Sequence, residues 1–186
     1  MALGEWAALP EDEHGELVDE IIVEEEAPEA THESVVAWLV VALWAWVKPR
    51  GGFVFGSELK IAVRPRRGRK PDLSLYLPGV PHPGPRGLVT VAPSIVVEVI
   101  SSSPGDARRD RIEKPEDYAA FGVRFYWLVD PRSRTLEIFE LGPDGRYARA
   151  LGAADGAVDV PGCPELRLDL DALWAEVDLL GPAEEG

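Results

Sequence analysis

The sequence predicts an α/β domain in which a mixed β-sheet is flanked by helices, with a β extension at its N-terminus. Three observations carry that expectation. A long apolar segment stops at Lys48-Pro49-Arg50-Gly51-Gly52, as helices do. Several short runs alternate or are apolar throughout, as strands do. A polar, helix-like stretch then separates two strand runs, as a crossover requires. The 186 residues suit one domain, 1–186, with room for a sizeable core.

Taken in order, residues 2–9 are expected to form a short helix carrying Trp6. Gly15 to Glu26 alternates loosely through Leu17, Ile21 and Val23, and its charges suit one or two edge strands. Thr31 is placed to cap a helix that runs through Val47, whose apolar residues go almost all the way round and predict burial. Strands follow at Gly52 to Phe55, Leu59 to Val63, Asp72 to Leu77 and Ser94 to Ser101. The last two are joined by Pro78 to Pro93, a connection with five prolines and three glycines. Asp106 to Phe121 reads as a helix with Ile112, Tyr118 and Phe121 as core contacts, and Pro115 sits where it could break it. Arg124 to Val129 and Thr135 to Leu141 form a pair, Arg146 to Ala150 adds an edge, and Asp169 caps a last short helix through Val177.

One of these strands is chemically odd. Ser94-Ile95-Val96-Val97-Glu98-Val99-Ile100 holds one carboxylate in an otherwise apolar run, and burying it unpaired would cost several kcal/mol. Glu98 therefore needs a cation or a metal as partner. Asp72 opens the preceding strand; if the two strands are antiparallel neighbours, Asp72 comes opposite the Glu98 to Ile100 region and both carboxylates share one end of the sheet. Hard oxygen ligands of this kind suit Mg²⁺ or Mn²⁺, with the backbone carbonyl of Val99 as a third ligand. Lys114 would complete the parts needed for metal-assisted phosphodiester cleavage. The bland alternatives are a structural Arg–Glu98 ion pair, an Asp72 that only caps a turn, and a solvated helix lysine at Lys114. His32 and Glu33, in the first turn of the apolar helix, are accessory candidates; a surface or capping role for His32 and a dipole-complementing one for Glu33 stand beside that.

The net charge of −14 is unevenly spread. Residues 1–33 carry 12 acidic groups and no Lys or Arg, whereas residues 34–136 carry 16 basic against nine acidic groups. Arg64, Arg66, Arg67, Arg69 and Lys70 lead into Asp72, and Arg108, Arg109 and Arg111 form a second run. Flanking the same carboxylates, they suggest a phosphate track, against the plainer reading of solvated surface. The sequence has no P-loop, dinucleotide fingerprint, zinc motif or GxSxG elbow. The lone Cys163 excludes an intramolecular disulfide and a multi-cysteine zinc site. The most apolar run, Val35 to Val47, is 13 residues, short of the roughly 18 to 20 that span a membrane, and it is not a signal peptide. No membrane association and a cytoplasmic location are the expectations. The absence of Asn and Gln fits a heat-adapted source or a GC-rich genome.

The segments "GELVDEIIVEE…THESVVAWL", "KPDLSLY", "PSIVVEVISSSP" and "DARRDRIEKPEDYAAFGVRFYWLVDP" resemble the Uma2 family (DUF820), within the restriction-endonuclease-like PD-(D/E)xK nuclease superfamily. The resemblance covers about residues 15–141. It implies an αβββαβ core at about 30–141, with Asp72 and Glu98 as metal ligands. The superfamily's strand lysine falls at Ile100, so that group is missing; in this family a helix lysine takes its place, which matches Lys114. The frequent first-helix glutamate falls at Glu33. A Mg²⁺- or Mn²⁺-dependent endonuclease acting on DNA, working as a homodimer or higher homo-oligomer, is what this implies. A catalytically silent nucleic-acid-binding or interaction module, and a metal-dependent phosphoesterase for a small substrate, remain as alternatives.

Overall fold

The computed structural model describes residues 1–10, 15–24 and 27–181. Its first half runs α1 (Leu3–Ala7), β1 (Glu16–Val18), β2 (Ile21–Val23), α2 (Ala30–Val47), β3 (Phe53–Phe55), β4 (Ile61–Arg64), β5 (Arg67–Arg69) and β6 (Leu73–Tyr76). Then come β7 (Ile95–Val99), α3 (Pro104–Arg108), a π-helical turn (Arg109–Glu113), α4 (Lys114–Phe121), β8 (Phe125–Asp130), β9 (Thr135–Leu141), β10 (Tyr147–Ala153), β11 (Ala157–Asp159), β12 (Arg167–Asp169) and α5 (Leu170–Asp178).

The main sheet has the order β10-β9-β8-β7-β6-β3 and is mixed: β7 and β8 are parallel, and its other pairs antiparallel. A parallel pair cannot be joined by a hairpin, which is why the helical stretch from Pro104 to Phe121 lies between them. A second, antiparallel sheet has the order β2-β1-β5-β4.

β7 and β8 are buried on both faces, so their alternation sorts residues between two cores. Ile95, Val97, Val99, Phe125, Trp127 and Val129 pack with Leu39 and Leu43 of α2 and with Leu173 and Trp174 of α5. Val96, Ile100, Tyr126 and Leu128 pack with Tyr118 and Val123 on the other side and with Ile61 and Val63 of β4. Position 98 falls on this second face.

Several expectations are corrected. The N-cap of α2 is Glu29 rather than Thr31, without a side-chain cap bond. Only one face of α2 is buried: Val41 is 69% and Trp44 54% exposed. The helical residues Ala30–Arg50 are long and apolar enough to cross a membrane by length and composition, although Val35, Leu39, Leu43, Trp46 and Val47 fill the core. The expected strand region reaching Glu26 resolves into a hairpin, turned at Asp19-Glu20 with both residues at positive φ, the signature of a type I′ turn. β1 is not an edge, because it pairs with β5, a strand hidden inside the basic run. Residues 25–26 of that expected region lie outside the described residues. Asp169 caps α5 as expected, accepting a hydrogen bond from the Ala172 amide.

Candidate active site

Two strands place the acidic pair. β6 and β7 are antiparallel with Leu73 opposite Val97, so Asp72 continues the register opposite Glu98. Directly opposed residues project to the same face. Both carboxylates therefore line one cleft of about 490 Å³ at the end of the sheet. Asp72 Oδ2 accepts the Val99 amide at 2.7 Å and faces His32 Nε2 at 3.2 Å. His32 comes from the first turn of α2, and Glu33 beside it lines the same cleft. Burial alone would lower the His32 pKa. Its bond to Asp72, with the charges of Asp72 and Glu33, outweighs burial and raises it.

Glu98 is 2% exposed and held at both oxygens. Lys114 Nζ donates to Oε2 at 3.0 Å and the Tyr118 hydroxyl to Oε1 at 2.7 Å. Lys114 also lies 2.9 Å from Asp110 Oδ1 and 3.8 Å from Glu16 Oε1. Burial pushes the Glu98 carboxyl well above the ordinary range; Lys114 pulls it down, and Asp72, Asp110 and Glu16 push it further up. Asp110 is raised for the same reasons. Burial opposes ionisation of Glu16 too, but Lys114, Arg69 and the Lys70 amide together hold its pKa below the ordinary value. The Tyr118 phenol is pushed well up by burial and by Glu98, so it stays a donor.

The helix presents these groups through its π-helical turn. The Lys114 amide bonds to the Arg109 carbonyl, one residue further back than in an α-helix. Pro115 has no N–H to offer the Asp110 carbonyl. That acceptor takes the Tyr126 hydroxyl instead, at 2.7 Å. Pro115 thus does not break the helix. Asp110, Lys114 and Tyr118, spaced four apart, face inward, while Ile112, expected in the core, is 53% exposed.

A family model described as "Putative restriction endonuclease" matches residues 3–171. The chain belongs to the Uma2 family. A crystal structure of "a putative nuclease belonging to DUF820 from Anabaena variabilis ATCC 29413" matches with a TM-score of 0.75 and 22% identity, over 95% of this chain and 99% of that one. At that identity the likeness establishes the fold, a mixed sheet flanked by helices like that of its nuclease-like neighbour. No curated protein matches. Uma2 membership supports a nuclease at the level of the family.

In this Uma2 chain the cations of the expected phosphate track each pair with carboxylates of the chain, some buried and some, such as Arg66 and Arg108, largely exposed. Arg69 is fully buried, 2.6 Å from Glu16 and 2.7 Å from Asp117. Arg64 and Arg67 bind the same Asp117 at 3.0 and 3.3 Å. Lys70 is buried and pairs with Glu58 at 2.6 Å, and Arg66 pairs with Glu20 at 3.2 Å. In the second run Arg108 pairs with Glu113, Arg109 with Asp106, and Arg111 with Asp130 and Glu137. These cations answer the chain's own carboxylates. Among its described residues, the cleft is lined by seven carboxylates and two lysines, so its field attracts cations rather than phosphate.

Asp72, Glu98, Lys114, His32 and Glu33 therefore meet in one cleft. Val99 lines it too, with its amide spent on Asp72. Glu16, Asp110 and Asp117 were not singled out in the sequence. For Asp110 a signal was present: a charged residue four before Lys114 and eight before Tyr118 shares their helix face. Glu16, 53 positions before Arg69 and further still from Lys114, gives no local signal.

Proposed function

We propose that this Uma2 chain is a divalent-metal-dependent nuclease that hydrolyses phosphodiester bonds in DNA. The observation that carries the reading is Asp72 and Glu98 side by side on one sheet face with a buried lysine 3.0 Å from Glu98. Among the described residues no three His, Cys, Asp or Glu side chains form a ready-made metal cage. Two carboxylates at an open cleft nevertheless suit Mg²⁺ or Mn²⁺, which keep several waters and complete their shell with substrate oxygens. The excess of buried negative charge supports the fit.

Asp72 and Glu98, with the Val99 carbonyl, would hold the ion, whose chemistry is to acidify water and to neutralise charge on the scissile phosphate. The protein's own groups do the positioning. His32 and the Val99 amide fix the Asp72 carboxylate, and Tyr118 fixes Glu98. Lys114 orients the attacking water and stabilises negative charge on the phosphate. Lys114 takes the part that Ile100 cannot, which supports an active enzyme over a silent module. Because the basic runs are internally paired and the cleft is acidic, divalent cations would screen the approach of DNA. We further infer a homodimer, since a small domain with one site needs two copies to cut both strands.

The test is Mn²⁺-dependent cleavage of single- and double-stranded DNA by the wild type and by Asp72→Ala. Loss of cleavage by at least about a hundredfold, with circular dichroism unchanged, is expected. Wild-type protein that cleaves neither substrate, or a variant as active as the wild type, would overturn the reading.

A further inference from the structure

Lys114 sits among the carboxylates that would draw a divalent cation. Its side chain is 4% exposed and its ammonium bridges two carboxylates of different provenance, 3.0 Å from Glu98 on β7 and 2.9 Å from Asp110 one helical turn back on its own helix. Resting on the nuclease reading above, we propose that Lys114 is an internal counter-ion that keeps the place of the metal at Glu98. Asp110 is then the positioning residue that retains the ammonium at the cleft once Glu98 is given over to an ion.

The geometry supports the exchange. Glu98 Oε2 cannot satisfy an ammonium and a divalent cation equally, because the two repel across one carboxylate group. The ammonium must shift, and with only 4% of its side chain exposed it cannot swing freely to solvent. Asp110 Oδ1 is already in contact and needs no rearrangement of the helix. The Asp110 backbone is pinned by the Tyr126 hydroxyl on its carbonyl, which keeps this acceptor on the inward face. The Tyr118 hydroxyl occupies the opposite oxygen of Glu98 and stops the carboxylate from turning to follow the lysine. Without Asp110, the ammonium would stay on Glu98 and compete with the ion, or leave the position from which it can act on a phosphate.

The experiment is calorimetric Mn²⁺ binding at one pH to the wild type, Lys114→Met, Asp110→Asn and the double variant, each checked for folding by circular dichroism. Removing the competing ammonium is expected to tighten binding about tenfold in Lys114→Met. Asp110→Asn should weaken binding about tenfold while Lys114 is present, and far less when Lys114 is already Met. That coupling is the signature, and an Asp110 that merely braced the helix would not produce it.

Equal weakening by Asp110→Asn in both backgrounds would make Asp110 a ligand of the ion and overturn the proposal, as would no effect in either. Absence of binding in all four proteins would bring down the metal reading as well. A wild type that binds, without coupling, would bring down this proposal alone. Should Lys114→Met fail to fold, Asp110→Glu takes its place: the longer carboxylate is expected to restore the affinity that Asp110→Asn loses, and a failure to restore it counts against the exchange.

Discussion

At Glu98, burial raises the carboxyl pKa, Lys114 lowers it, and the charges of Asp72, Asp110 and Glu16 raise it further, with elevation the net result. Folding therefore works against the ionised form, which is why the position calls for a cation. Glu98→Gln keeps the shape and removes one negative charge from the cluster; Lys114 keeps Asp110 at 2.9 Å. In metal-free buffer the variant is expected to melt about 2–4 °C above the wild type, the shift of roughly 1 kcal/mol in a protein of this size. Added Mn²⁺ should raise the wild-type melting temperature and leave that of the variant in place. A variant less stable than the wild type without metal would show that Glu98 is a net structural asset. The strand context of Glu98 was legible in the sequence because one carboxylate in a doubly buried strand must have a partner. The identity of that partner needed the helix register, which the π-helical turn sets.

Among the elements, the helix from Pro104 to Phe121 has the least ordinary pattern, with Asp110, Lys114 and Asp117 inside and Ile112 outside. Apolar periodicity is a poor guide there, because the face is chosen by ion pairs and not by hydrophobicity. The Tyr126 hydroxyl completes the π-helical turn. Tyr126→Phe leaves the Asp110 carbonyl as a buried acceptor without a donor and should cost about 1–3 kcal/mol in thermal or urea unfolding. The strands Asp72 to Leu77 and Ser94 to Ser101 and the β8–β9 pair were visible from alternation and turn residues. β5 was not, because three residues centred on a glycine in a basic run have no strand pattern. What makes β5 a strand is distant: Arg69 inserts between Glu16 and Asp117, and Gly68 faces the Trp6 ring so closely that a Cβ would stand 2.2 Å from it. The Glu16–Arg69–Asp117 bridge ties the second sheet to α4. Because the folded-state pKa of Glu16 is depressed, its stabilisation is full above its ordinary value of 4.5 and is lost as pH falls through the lower, folded value. Glu16→Gln should accordingly flatten the acid limb of the stability profile below about pH 4.5, measured by urea unfolding at several pH values.

For the molecule as a whole, α2 joins two different surfaces. Its first turn delivers His32 to Asp72, and its far side leaves Val41 and Trp44 in solvent beside Ala37 and Ala45. If the chain works as a homodimer, light scattering after size exclusion should give twice the chain mass, and Trp44→Glu on this apolar strip should move it toward the monomer. A wild-type monomer at working concentration would remove that part of the reading. The groups of the cleft and the bridge behind it are scattered along the chain: 40 positions separate His32 from Asp72, 16 separate Glu98 from Lys114, and 53 separate Glu16 from Arg69 in the bridge. Lys114 and Asp110 are one helical turn apart, but the pairings that assemble the cleft around them cross the chain, and the β7–β8 parallel pairing that seats Glu98 requires the whole crossover to be in place. Such long-range closures come late in folding. A chain still being made, or one partly unfolded, therefore carries the carboxylates and the lysine without the cleft that unites them. The hydrolytic capacity proposed for this protein is therefore a property of the closed fold and would be lost together with it.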